Sequence, residues 1–469
     1  MKERQLQKII GLSALLLLIA SINSIGFHQS DEHFQILEFA AMRAGHTPAS
    51  ELPWEYAEQM RPGLQPLMAY AVLKSIGNPF WTAWLLRLLT AAFCLTVSYL
   101  VFQRYRSTLR LPQAIKLFAG LCFLHWIMLY SGGRFASESW SGLCLALGFL
   151  CYPLKRSPDT SLQRGHQATK AAAIRYVLIG LLFGLAFAFR YQVAIAVLGF
   201  GAWLVFMARE RWWRIGLLIL GGLLALLLGT LADYWLYGEW VNAPWNYLEQ
   251  NLVEGKAATF GTMPWWGYFE LVLLRGIPPL SLLYIVLPLI FFWQFRRDPI
   301  SWVWLPFLLV HCYLGRKDIR FLWPLLPLFP VVAMWSLQWV RERYGDFWKW
   351  RSWRVLFGLC LLINGGALLI NSLRPMRASL SAAHYIYYEA ESPTTIIVPE
   401  GRPYIFFDLP AYFYRPTNLQ LADTCPEEGR CLYLFYARQP VAPPGTELIW
   451  TNRPVWLPNF KQKWYYIYE

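Results

Sequence analysis

The chain has 469 residues, of which 57% are hydrophobic and only 15% charged, and its formal net charge is +14. A soluble globular chain of that composition could not cover its surface, so most of this one is dissolved in lipid. The positive charge does not imply a nucleic-acid partner, because the basic residues fall in short clusters between apolar runs, the pattern of the positive-inside bias.

The first apolar run extends from Ile9 to about Phe27, behind Lys2, Arg4 and Lys8. It resembles a secretory signal, but no small-residue cleavage site follows and further spans do, so it reads as an uncleaved first helix. At 1.5 Å per residue it is long enough to cross a hydrocarbon core of about 30 Å. Further runs cover 80–103, 113–131, 137–153, 173–189, 191–208, 215–232, 274–294, 300–314, 321–340 and 354–373. Aromatic pairs such as Phe80 with Trp81 and Trp212 with Trp213 mark their ends. The expected fold class is an all-α polytopic membrane protein of about eleven transmembrane helices, with a small mixed α/β domain at the carboxyl end.

Alternating the sides of these runs collects Arg104, Arg106, Arg110 and Lys116, then Lys155, Arg156, Arg164 and Lys170, on one face. Arg209, Arg211, Arg214, Arg296, Arg297, Arg341, Arg343, Lys349, Arg351 and Arg354 join them. The other face receives the loops 28–79 and 233–270, rich in carboxylates and poor in bases. The amino terminus is therefore expected in the cytoplasm and the carboxyl terminus outside.

Within the first loop, Phe34, Leu37 and Ala41 follow Ser30 and Asp31 at helical spacing, which predicts an amphipathic helix lying along the membrane interface. The plain reading of its start makes Asp31 an N-cap and Glu32 a first-turn acid complementing the helix dipole. His33 and His46 show no partner in the sequence and read as plain polar residues. Residues 1–373 are expected to form the transmembrane domain and 374–469 an external domain. There, TTIIVP, LYLFYA and ELIWT alternate with Pro and Gly turns, and support or acceptor docking is the expected use. Six cysteines sit in or beside apolar runs without metal-ligand spacing, and no metal is expected. Cys425 and Cys431 flank CPEEGRC and could close a small disulfide loop in an oxidising compartment.

The stretch DEHFQILEFA, followed by PWEY and RPGLQP, resembles the opening signature of glycosyltransferase family 22, and especially its branch in glycosylphosphatidylinositol anchor assembly. The likeness continues through RFASES, through AFRYQ around Arg190, and through DYWLYGEWVNAPWNYLEQNLVEGKAATFGTMPWWGYF. It covers about residues 28–340, and the tail matches weakly. Where the family carries a His-Lys-Glu-type motif before Arg-Phe, this chain has GRKDIRF, with Arg316 in the place of His.

The resemblance implies a type C glycosyltransferase fold and an inverting alpha-mannosyltransferase that uses a polyprenyl- or dolichyl-phosphate sugar as donor, without a cofactor. The acceptor would be a glycan or glycolipid on the non-cytoplasmic face. Displacing a lipid phosphate from a sugar C1 needs a base for the acceptor hydroxyl and cations for the departing phosphate. The family's first-loop aspartate corresponds to Asp31, the candidate base. Arg61, Arg134, Arg190, Lys317 and Arg320 are the phosphate-binding candidates, since guanidinium forks match phosphate oxygens. Glu32 and Glu138 are expected to position cations or the acceptor. The competing reading is a transporter or flippase of lipid-linked glycans, and a purely structural subunit is a third. A transporter should place its charges at mid-membrane in broken helices and show repeated halves, whereas here the charges crowd into loops and helix ends and no repeat is visible. A bacterial inner membrane is the favoured location, with the endoplasmic reticulum as alternative.

Overall fold

The computed structural model describes residues 2–24, 26–27, 29–153, 165–373, 378–389, 394–400, 405–406, 409–416, 419–422, 424–426, 430–438, 442–453 and 464–469. Lys155, Arg156 and Arg164 of the basic cluster lie outside them. The chain divides into two compact units, each assembled from separated pieces. One takes Met1–Ser21, Gln59–Gln65 and Arg87–Leu373, and the other Ile22–Glu58, Pro66–Leu86 and Arg374–Glu469.

The apolar runs fall on helices, with 113–131 divided between two and the start of 321–340 taken by a 3-10 helix. The principal ones are α1 (Glu3–Asn23), α2 (Pro79–Tyr105), α3 (Pro112–Phe123), α4 (Trp126–Gly132), α5 (Ser137–Cys151), α6 (Gly165–Phe189), α7 (Ala194–Phe206), α8 (Trp212–Tyr237), α9 (Leu280–Gln294), α10 (Pro299–Tyr313), α11 (Phe329–Tyr344) and α12 (Arg351–Leu373). Seven helical stretches among the described residues are long and apolar enough to cross a membrane, and three shorter apolar ones accompany them. Helix α9 starts later than its apolar run because Pro278 and Pro279 precede it and cannot donate the amides that a helix interior needs. Between Asp318 and α11 the chain runs as a 3-10 helix, Ile319–Leu328, in which Pro324 and Pro327 withhold two more amides.

Within this first unit, helices pack where side chains are smallest. A Cβ placed on Gly180 of α6 would lie 1.8 Å from the Leu218 carbonyl of α8, and one on Gly221 would lie 2.0 Å from the Val177 carbonyl. Only glycine admits so close an approach of two backbones, the usual device where lipid supplies no hydrophobic drive between helices. Helices α5 and α7 begin at the end of the unit that holds Arg190, whereas α10 runs the opposite way and delivers Lys317 and Arg320 to that same end.

In the second unit the first loop is helical, as its spacing implies, but its apolar face does not lie on a membrane. Phe34, Leu37 and Ala41 are buried in the unit. The reason is a polar hub. Glu38 is 1% exposed; its Oε1 lies 2.7 Å from His33 Nε2 and accepts the Phe413 amide at 3.0 Å, while Thr47 Oγ1 donates to its Oε2 at 2.7 Å. His33 is stacked between Phe27 and Tyr414, with centroids at 5.0 and 5.5 Å. His33 is therefore not the partnerless polar residue that the sequence suggests. Nor is Asp31 the N-cap: Gln29 holds that position, and Asp31 sits in the first turn of Ser30–Glu32, just before a π-helical turn over His33–Leu37.

The tail forms a five-stranded sheet. Strands β1 (Thr394–Glu400), β2 (Leu419–Ala422), β3 (Arg430–Ala437), β4 (Leu448–Thr451) and β5 (Trp464–Tyr468) lie in the order β2-β1-β3-β5-β4. The β1 pairings are parallel and those of β5 antiparallel. Three strands fall on the expected runs; β2 and the aromatic β5 carry weaker alternation. Cys425 and Cys431 are joined as a disulfide, Cα atoms 5.9 Å apart.

Candidate active site

The helical unit brings Glu138, Arg190 and Arg320 together around one carboxylate. Ala136 is extended, so α5 starts abruptly and places Glu138 in its first turn, where the helix dipole favours a negative charge. Arg190 is an extended residue that interrupts the chain between α6 and the turn leading into α7. Its Nη1 lies 2.9 Å from Glu138 Oε1 and donates to Ser137 Oγ at 3.0 Å. Arg320 Nη1 approaches the same Glu138 oxygen at 3.7 Å, although 182 residues separate the two in sequence.

Asp318 fixes Arg320 from its own side. Its Oδ1 accepts the Arg320 amide at 3.1 Å, capping the 3-10 helix, and its Oδ2 accepts from Arg320 Nε at 3.2 Å. Phe321 supplies an aromatic platform for both guanidinium groups, at 5.0 Å from Arg190 and 5.6 Å from Arg320. Asp318 and Phe321 stand in the GRKDIRF stretch that resembles the family motif, though neither is named there as a site residue, and an acid just before a helical run is also a capping signal.

Lys317, 5% exposed, donates to the Leu314 carbonyl at 2.5 Å and the Met263 carbonyl at 3.3 Å, and lies 5.7 Å from the Tyr268 ring. It has no carboxylate partner among the described residues, and burial lowers its pKa below the ordinary lysine value. Arg134, 2% exposed, lies over Tyr130, whose ring packs on Trp323 of the same 3-10 helix. Arg134, Arg190, Lys317 and Arg320 are all buried, and two of them, Arg190 and Arg320, meet on one oxygen of Glu138. Burying charges is costly even when they are paired, so such a cluster is not explained by stability alone.

Arg61 lies at the end of α8, against Tyr247, whose ring packs on Tyr191, the residue after Arg190. The Tyr237 hydroxyl accepts the Arg61 amide at 3.1 Å and donates to its carbonyl at 2.8 Å, and the guanidinium lies 5.5 Å from the Tyr247 ring. Asp233 Oδ1 accepts the Gly63 amide at 2.6 Å, and a Cβ on Gly63 would meet the Ala232 carbonyl at 2.3 Å. The RPG segment is therefore pinned to α8 by its backbone. Arg316 donates to the Phe260 carbonyl. Asp31 and Glu32 belong to the other unit, where Ser30 Oγ donates to Asp31 Oδ1 at 3.3 Å.

Comparison with known proteins adds the following. The model of the Alg9-like mannosyltransferase family matches residues 9–398. A GPI alpha-1,2-mannosyltransferase 3 of Danio rerio is 25% identical over 408 residues, covering 82% of this chain and 69% of that protein. A GPI mannosyltransferase 3 of Candida albicans is 24% identical over 318 residues, covering 64% and 58%. With two further vertebrate relatives included, the chain spans 54 to 69% of the lengths of the proteins it resembles. Among solved structures, ArnT from Cupriavidus metallidurans bound to undecaprenyl phosphate aligns over 90% of this chain and 86% of its own, with a TM-score of 0.56 and 12% identity, a likeness of fold.

Proposed function

The chain belongs to the Alg9-like mannosyltransferase family, and from that membership we propose that it is an inverting alpha-mannosyltransferase. It moves mannose from a polyprenyl- or dolichyl-phosphate carrier to a hydroxyl of a glycan or glycolipid on the non-cytoplasmic face. The observation that carries this reading is the pair of buried guanidinium groups, Arg190 and Arg320, that meet on one oxygen of Glu138. In the reaction the bond between sugar C1 and phosphate oxygen breaks and a bond from the acceptor oxygen to C1 forms. The acceptor hydroxyl gives its proton to a base, and the carrier leaves as a phosphate monoester with up to two negative charges in place of the diester's one. Preorganised cations stabilise that growing charge better than they stabilise the ground state. Arg190 and Arg320 supply guanidinium forks and Lys317 a point charge, while Glu138 and Asp318 hold the two arginines in place before the donor arrives. Asp31 is the base in this proposal, with Glu32 positioning the acceptor and Arg61 and Arg134 as further phosphate contacts. Phosphate is a good leaving group, so one carboxylate suffices.

The test is transfer by the purified protein in lipid nanodiscs, with radiolabelled mannosyl-phosphoryl-polyprenol and mannosyl-phosphoryl-dolichol as donors and a mannose-terminated glycolipid as acceptor. The expected result is labelled glycolipid sensitive to alpha-mannosidase, with one lipid phosphate released per mannose. Movement of an intact lipid-linked glycan between leaflets of proteoliposomes, with no glycosidic bond cleaved, would overturn it in favour of a transporter.

A further inference from the structure

At the opposite end of the helical unit lies a second basic feature that the transfer chemistry does not use. Helices α5 and α7 begin beside Glu138 and Arg190 and end near Pro153 and Trp203, while α10 begins at Asp298 and ends towards Lys317. Fifteen residues of α5 place these ends about 22 Å apart. There a cavity of about 1020 Å³ is lined by Arg104, Arg296, Arg297 and Asp298, with Trp203 and Trp335 among its apolar walls.

The turn that presents the two adjacent arginines is built from its backbone outward. Trp203 Nε1 donates to the Arg297 carbonyl at 2.9 Å and Trp302 Nε1 to the Arg296 carbonyl at 3.1 Å. The Asp298 amide donates to the Phe295 carbonyl at 2.8 Å, and Asp298 Oδ1 caps the Ile300 amide at 2.9 Å. Both guanidinium groups are exposed and have no carboxylate partner among the described residues. Arg104 differs, since its Nη2 is committed to the Tyr152 carbonyl at 2.6 Å. Two free guanidinium groups, a third cation and a wall of indole and phenyl rings, at the ends of lipid-dissolved helices, suit a ligand with a phosphate at one end and hydrocarbon at the other. A free phosphate shares the charge chemistry but leaves the apolar wall and most of the volume unused.

We propose that this cavity binds the headgroup of an anionic phospholipid, its phosphate on Arg296 and Arg297 and the start of its acyl chains against Trp203 and Trp335. The site is separate from the proposed transfer site and does not depend on that reading.

The experiment is native mass spectrometry of the delipidated, full-length protein, titrated with phosphatidylglycerol, with phosphatidylcholine, and with phosphatidylglycerol in excess inorganic phosphate. The wild type should retain phosphatidylglycerol over phosphatidylcholine. Arg296→Gln and Arg297→Gln should each lower its affinity about fivefold, and the double variant about thirtyfold, the worth of one and two charges near a lipid surface. Arg211→Gln, an exposed base outside the cavity, should leave affinity unchanged. Each variant touches an exposed side chain, so folding is retained, checked by the melting midpoint. Unchanged binding in the double variant, or an equal loss in Arg211→Gln, overturns the proposal. Competition by millimolar inorganic phosphate assigns the cavity to free phosphate and overturns the lipid assignment.

Discussion

Replacing Glu138 by Gln keeps its shape and one acceptor oxygen while removing the charge that Arg190 and Arg320 share at 2.9 and 3.7 Å. Both guanidinium groups stay buried and lose the negative charge they share. Removing one partner of a buried ion pair costs about 3–5 kcal/mol, because the remaining charge is left uncompensated. The protein in detergent should therefore melt well below wild type. A polyprenyl phosphate monoester should then stabilise the variant more than the wild type, since its oxygens replace the missing carboxylate on the same arginines. At one hundred times its dissociation constant the ligand contributes about 2.7 kcal/mol, enough to recover most of the loss. Melting midpoints of both proteins, with and without the lipid phosphate, give the four numbers required. Equal midpoints without ligand would show that Glu138 does not compensate the arginines. Equal stabilisation of both proteins by the lipid would refute the idea that these cations receive its phosphate.

Asp31→Asn should fold normally, because Gln29 and not Asp31 is the N-cap, yet lose about 10² to 10⁴ in transfer rate as a general base is removed; wild-type rates in the purified variant, or loss in Glu32→Gln instead, would reassign the base. Glu38→Ala deprives His33, the Phe413 amide and Thr47 Oγ1 of their shared acceptor, and should destabilise the second unit by about 3–5 kcal/mol, read as faster hydrogen exchange in β1 and β3. Burial raises the Asp298 carboxyl from 3.8 to about 6. The folded chain therefore holds this proton more tightly than the unfolded one, and the group's contribution to stability falls as pH rises from about 4 through 6. Asp298→Asn, which keeps the cap on Ile300, should flatten that dependence in melting midpoints taken between pH 4 and 7.5.

The helices were legible because lipid imposes a length: a run near twenty apolar residues has few other uses, and Phe80 or Trp212 announces an end. The strands Thr394–Glu400 and Arg430–Ala437 were legible for a similar reason, as β-branched and aromatic runs between turn residues. The hub around Glu38 was not. His33 and Glu38 are five residues apart, a spacing that turns side chains away from each other on an α-helix and brings them together on the π-helical turn that the chain adopts there. The Asp31 cap reading failed because helix starts are uncertain by a residue or two. Residue types at Glu138, Arg190 and Arg320 pointed to phosphate chemistry, but their sharing of one oxygen depends on a helix crossing that no local pattern encodes.

The hydrogen bond from the Phe413 amide to Glu38 joins residues 375 positions apart. At a synthesis rate of about 5–20 residues per second, the acid emerges some 20 to 75 seconds before its partner does. In that interval helices α2 to α12 are made, while the loop bearing Asp31 lacks the segment that supplies Tyr414, one of the two rings that hold His33. The hub around Glu38 is therefore completed only after Phe413 has emerged. A nascent chain arrested before Phe413 would carry a finished membrane bundle and an unassembled first loop.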